Sequence, residues 1–126
     1  MHTALRIQVR QSPYLDTLYE HQPVRITIDS GATGNMIRLS TAKRLGATIQ
    51  ASSQSAQQAD GASPLRVIGE TRLAFTRGSH NFHFEGLVVE DSDVDILAGT
   101  PFMEWNDIAV RPAKRLVILG DNPTFV

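Results

Sequence analysis

Arg25-Ile26-Thr27-Ile28-Asp29-Ser30-Gly31-Ala32-Thr33-Gly34-Asn35-Met36-Ile37 holds a strand, a tight exit and a return to apolar residues. Val24, Ile26 and Ile28 alternate with Arg25 and Thr27, the period of a half-buried β-strand. Asp29-Ser30-Gly31 then forces the chain to turn, because glycine adopts backbone conformations closed to other residues. The pattern therefore predicts a carboxylate presented at a strand end. A solvated turn would place an aspartate there equally well, and a bare Asp-Ser-Gly recurs by chance in many chains, so the surroundings must decide.

A second stretch lies roughly seventy residues further on. In Val94-Asp95-Ile96-Leu97-Ala98-Gly99-Thr100-Pro101-Phe102-Met103, the apolar run Ile96, Leu97, Ala98 reaches Gly99 where a strand would end and a helix begin. Together with the run before Asp29, the Ala32-Thr33 after Gly31 and the return at Met36-Ile37, it resembles the retropepsin-like aspartic proteases. The nearest likeness is to the protease domain of long-terminal-repeat retrotransposon polyproteins, and it covers residues 5 to 110. The resemblance implies a mainly β fold: a closed β-barrel with one or two short helices, homodimeric, with residues 1–126 forming one domain.

Composition agrees with a small globular domain. At 126 residues the chain suits one modest core, and 20% charged with 41% hydrophobic residues is neither a disordered nor a membrane composition. No apolar run approaches the ~18 residues of a membrane span. Met1 to Arg10 alternates polar and apolar residues instead of forming a signal-peptide block, so a cytoplasmic, intracellular protein is expected. The absence of cysteine excludes disulfides and thiol nucleophiles. Net charge is −1, and ten of the twelve basic residues are arginines scattered along the chain. This predicts solvated surface charge, with no nucleic acid bound by this domain and no membrane partner.

Taken in order, Leu5, Ile7 and Val9 predict a half-buried strand, ended by Ser12-Pro13. Leu15 to His21 fits a wide hairpin or a second strand, and Gln22-Pro23 leads into the Asp29 strand. Ser40 is expected to cap a short helix through Leu45, with Gly46 stopping it. Ser52 to Gln58 is polar enough for a linker, but Asp60-Gly61 is a hairpin signal and Leu65, Val67 and Ile68 resume a strand. Leu73 and Phe75, a turn at Arg77-Gly78-Ser79, and Phe82 to Val89 form the next pair of strands.

Glu90 to Asp95 lacks the glycine and distal glutamate of a calcium loop and reads as a solvated acidic turn. His80 and His83 fall on opposite faces of a strand, so no metal site is expected. Thr100-Pro101 predicts a capped helix start, with Phe102, Met103 and Trp105 as core. Ile108 and Val110 form a strand, Arg111 to Lys114 turns, Leu116 to Leu119 returns, and the tail from Asn122 is expected to be loosely held.

What the resemblance implies for chemistry is specific. An aspartic protease needs two carboxylates sharing a proton, one as base toward water and the other as acid toward the substrate carbonyl. This chain has one Asp-(Ser/Thr)-Gly, so the second acid must come from another copy, giving a homodimer with Asp29 and its mate across the two-fold axis. Ser30, where many relatives carry threonine, would bond across that axis. Gly31 would bring its amide to a carboxylate oxygen, and Ala32 and Thr33 would complete the loop.

The hairpin at about residues 52–70 would be the flap, with Asp60, Gly61 and Ala62 at its tip. It would close over an extended peptide or polyprotein substrate, and no cofactor is called for. Retroviral members place an arginine directly after the second-motif glycine. Here Gly99 is followed by Thr100-Pro101, so dimer bracing must differ, and residues 108–126 add a C-terminal hairpin or tail. The alternative is a retropepsin fold kept for dimerisation or peptide binding with little or no proteolysis.

Overall fold

In the computed structural model, residues 12–52, 56–57, 64–120 and 122–125 are described. The predicted strand at Leu5 to Val9 and the expected flap tip at Asp60, Gly61 and Ala62 lie outside them.

Strands β1 (Tyr14–Tyr19) and β2 (Gln22–Ile28) form an antiparallel hairpin running from Tyr14 opposite Thr27 to Tyr19 opposite Gln22. Its two-residue turn, Glu20-His21, takes positive φ at both positions, 48° and 70°, the hand that matches the twist of the flanking strands. Leu15, Val24, Ile26 and Ile28 turn inward, and the buried Thr17 hydroxyl donates to the Val24 carbonyl at 2.9 Å. The segment from Leu15 is therefore a strand of a tight hairpin rather than of a wide one.

After the Asp29 loop come β3 (Met36–Arg38) and helix α1 (Leu39–Leu45). Gly46 ends α1 in the left-handed conformation, φ 71°, as the sequence predicts. The start is different: Arg38 occupies the capping position with no side-chain cap bond, and Ser40 lies inside the first turn. Helix α1 starts directly off β3, so its entry is set by strand pairing rather than by a hydroxyl.

Two short strands, β4 (Ala56–Gln57) and β5 (Pro64–Leu65), pair antiparallel. The long hairpin β6 (Val67–Arg77) and β7 (His80–Val89) turns at Gly78-Ser79. It is followed by β8 (Ile96–Ala98) and α2 (Thr100–Trp105). The strands close into a barrel in the order β1-β2-β8-β3-β7-β6. The closure joins β6 to β1 at Leu18 opposite Thr76.

The core of this mainly β fold fills the barrel. Phe75, Phe82, Phe84 and Phe102 pack with Leu15, Ile26, Ile37, Val88 and Ile96, and Phe75 meets Phe84 edge-on at 6.0 Å between centroids.

Strands β9 (Ile108–Arg111), β10 (Leu116–Leu119) and β11 (Asn122–Phe125) make a separate antiparallel sheet. The tail expected to be loose instead pairs residue for residue with β10, from Leu116 opposite Phe125 to Leu119 opposite Asn122. Gly120 permits this reversal with φ 61°. Among the described residues, no helix is long and apolar enough to cross a membrane.

Candidate active site

Strand β8 positions the Asp29 loop by lying between the strands on either side of it. It runs parallel to β2, with Ile28 opposite Ala98, and antiparallel to β3, with Met36 opposite Leu97. The chain must therefore leave β2, loop out and return across β8. Ile96, Leu97, Ala98 and Gly99 are thus brought beside the loop that holds Asp29, Ser30, Gly31, Ala32 and Thr33.

The contacts are close. Asp29 N donates to the Ala98 carbonyl at 2.8 Å, Ala32 N to the Asp29 carbonyl at 3.1 Å, and Thr100 N to the Ala32 carbonyl at 3.0 Å. The Gly31 amide donates to Asp29 Oδ1 at 2.9 Å, so a backbone dipole steadies the carboxylate at the mouth of the loop. Asp29 and Ala32 are half-buried, while Ser30, Gly31, Thr33 and Gly34 are exposed. The acid is therefore held from behind and open in front.

Gly99 is where the two motifs touch. A Cβ there would lie 2.5 Å from both the Ala32 and the Gly34 carbonyl oxygens, closer than any side chain is tolerated. This explains a helix start that differs from the sequence expectation. Gly99, extended at φ −95° and ψ −162°, takes the capping position, and Thr100 becomes the first helical residue with its amide already bonded to Ala32.

Asn35 was not singled out by its sequence. It is 8% exposed, and its Oδ1 accepts from Gly99 N at 2.9 Å while its Nδ2 donates to the Glu85 carbonyl at 2.9 Å. It lies one residue before β3, where no local pattern marks it.

A second polar group braces the far side of the barrel. Asp95 Oδ1 accepts from Arg38 Nη2 and, at 3.0 Å, from the Thr41 hydroxyl, and Arg38 Nη1 reaches the Ser92 carbonyl at 3.2 Å. Partial burial alone would raise the Asp95 pKa. Hydrogen bonds from Arg38 and Thr41, with the charges of Arg38 and Arg44, outweigh that effect and hold the carboxyl below its ordinary value. Asp95 and Arg38 are thus internal ties rather than solvated surface charges, whereas Glu90, Asp91 and Asp93 remain exposed.

Trp105 also departs from expectation. It is 54% exposed and stacks on His83 at 5.4 Å, because α2 is too short to carry its last residue over the core. Phe102 does enter the core, fully buried. His80 stacks on Phe82 instead of joining His83, and among the described residues no group of three potential metal ligands lies together. At the base of the segment 52–70 expected to be the flap, Gln50, just before it, and Glu70 exchange two backbone hydrogen bonds of 2.8 Å.

A closed barrel in which one Asp-Ser-Gly loop is straddled by an apolar-apolar-Gly strand is the retropepsin-like architecture. Residues 17–102, more than half the chain, match the family described as Aspartyl protease, and the chain belongs to that family. Among solved structures, it is similar to the retroviral protease-like domain of Ddi1 from Leishmania major, with a TM-score of 0.72 and 14% identity over 95% of this chain and 93% of that one.

The EIAV protease, solved with an inhibitor, gives a TM-score of 0.64 and 11% identity over 85% and 99% of the two chains. A retropepsin-like aspartic protease from Rickettsia conorii gives 0.57 and 18% over 78% and 75%. At these identities the likeness is one of fold. No curated protein sequence matches the chain significantly.

Proposed function

We propose that this protein is an aspartic endopeptidase that works as a homodimer, with Asp29 of each copy supplying half of the catalytic pair. The observation that carries the proposal is the Asp29 loop itself. Its carboxylate is held by the Gly31 amide at 2.9 Å, anchored from behind by Ala98, and open to solvent in front. A solvated turn can make the Asp29–Gly31 bond by itself; what it would not need is the clamp of the whole loop on Ala98, Gly99 and Thr100. Because the chain holds a single Asp-Ser-Gly, the partner acid is assigned to a second copy.

In this reading one ionised carboxylate removes a proton from water, and the water oxygen bonds to the peptide carbonyl carbon. The protonated partner gives its proton to the carbonyl oxygen. The tetrahedral adduct then collapses, the C–N bond breaks, and a proton passes to the departing amine. Ser30 bonds across the two-fold axis and keeps the two loops in register. The substrate is an extended peptide lying as an added strand between the loop and a flap at residues 52–70, with its tip at Asp60, Gly61 and Ala62. The resemblance to retroelement proteases supports the reading that it processes such an element's polyprotein inside the cell, within virus-like particles where those form.

Cleavage of peptide libraries by purified protein between about pH 4 and 7, beside Asp29→Asn, tests the reading. Activity should pass through an optimum in that range, as a proton-sharing pair requires, and Asn should abolish it. Equal cleavage by both proteins would eliminate the pair. No cleavage by either at any pH would leave a non-proteolytic dimerisation or peptide-binding module.

A further inference from the structure

We infer that Asn35 is a positioning residue for Asp29, acting through the Gly99 amide. The inference rests on the proteolytic reading for its kinetic consequence and on geometry for the rest. Three successive residues hold the loop that begins at Asp29 and ends at Asn35. The Ala98 carbonyl accepts from Asp29 N at 2.8 Å, Gly99 N donates to Asn35 Oδ1 at 2.9 Å, and Thr100 N donates to the Ala32 carbonyl at 3.0 Å. The first and third ties are backbone to backbone and persist whatever the side chains are. Only the middle one depends on a side chain, and it fixes where the loop ends relative to where it begins.

The same side chain fastens the loop to the barrel wall. Asn35 Nδ2 donates to the Glu85 carbonyl at 2.9 Å, and its own carbonyl accepts from Leu87 N at 3.0 Å. A planar group with one acceptor end and one donor end, nearly buried, meets both demands, and leaving either partner unpaired in that setting is costly. A carboxylate of the same shape supplies acceptors only and sets a charge against the Glu85 carbonyl, whereas a protonated carboxyl supplies one of each. Asn35→Asp should therefore keep an acceptor for Gly99 N at every pH but turn the bond to Glu85 into one that holds in acid and fails as pH rises, releasing the side chain that places the Gly99 amide.

Several ionisable groups lie on the elements around it. Glu85 on β7 is paired with Arg72 on β6, Arg38 at the end of β3 is paired with Asp95, and Asp29 heads the loop. Strand β8 has no ionisable residue, and α2 has Glu104 near its far end.

The test compares wild type, Asn35→Asp and Asn35→Ser between about pH 4 and 7, by peptide cleavage and by NMR of the Gly31 and Gly99 amides. The Gly31 amide reports on Asp29 because it bonds that carboxylate. For Asn35→Asp, kcat should lie within about threefold of wild type near pH 4 and fall at least about tenfold below it by pH 6.5, with KM changing less. The Gly99 amide should move in a transition that wild type lacks, and the Gly31 amide should gain a component over that same interval.

Asn35→Ser, too short to span both partners, should lose about tenfold in kcat at every pH. A constant ratio of kcat to wild type across pH, or a Gly31 amide in Asn35→Asp that titrates as in wild type, would overturn the proposal. If Asn35→Asp unfolds near neutrality, a folded Asn35→Ser with wild-type kcat would overturn it instead. If wild type cleaves nothing while both amides shift together in Asn35→Asp, positioning stands and the proteolytic reading falls.

Discussion

A methyl group on Gly99 would meet two backbone carbonyl oxygens at 2.5 Å, whereas one on Gly34 would meet nothing within 4 Å. Neither carbonyl can yield without moving the Asp29 loop. Gly99→Ala should therefore cost about 1–3 kcal/mol in thermal or denaturant unfolding and reduce cleavage by more than that loss explains. Gly34→Ala should stay within about 0.5 kcal/mol of wild type. Equal effects at the two glycines would show that the motifs are not clamped as described. The sequence distinguishes Gly31, because a glycine after an acid and a hydroxyl has a recognisable use. It also marks Gly99, as the end of the second motif, but not why a glycine is required there, since what decides is a pair of carbonyls contributed by residues far away in the chain. Asn35 was hidden for the same reason: both its partners, Gly99 and Glu85, are distant in sequence.

At the scale of elements, most strands were legible and both helix starts were misplaced. Alternation marks β2, β6 and β7 because one face of each meets the phenylalanine-rich core and the other meets water. A helix start is a weaker signal when tertiary contacts compete. Ser40 and Thr100 look like capping residues, yet strand β3 delivers α1 one residue after Arg38, and Gly99 must abut the active-site loop. Asp95 holds the start of α1 through Thr41 and Arg38.

The Asp95 carboxyl is held below its ordinary value, so its contribution is complete above about pH 4, the unfolded aspartate range, and is lost as pH falls through the folded value. Asp95→Asn should lower stability at pH 6 to 7 by about 0.5–1 kcal/mol, a figure kept small because 35% of the side chain stays in water. The gap to wild type should close below about pH 4. A gap independent of pH would mean that Asp95 contributes by packing rather than by charge.

For the whole molecule, barrel closure depends on pairings no local pattern encodes: β8 beside β2 in parallel, β3 beside β7 in parallel, and β1 back to β6. The mainly β class and the two motif loops could be read from the sequence. The third strand of the C-terminal sheet could not, because Asn122-Pro123 reads as a break until β10 is there to pair with it. That sheet stands apart from the barrel sheet, although Ile108, Val117 and Leu119 reach into the common core.

The account of function requires two such molecules around one pair of acids, and mixing subunits tests this most directly. Wild-type protein is equilibrated with an equal amount of Asp29→Asn, under conditions where dimers form and exchange, and cleavage is compared with that of the same wild-type protein alone. If each site takes one Asp29 from each copy, random pairing leaves activity at about half its starting value, with further loss as more variant is added. Activity that stays at its starting value, whatever the excess of Asp29→Asn, would mean that each chain works alone.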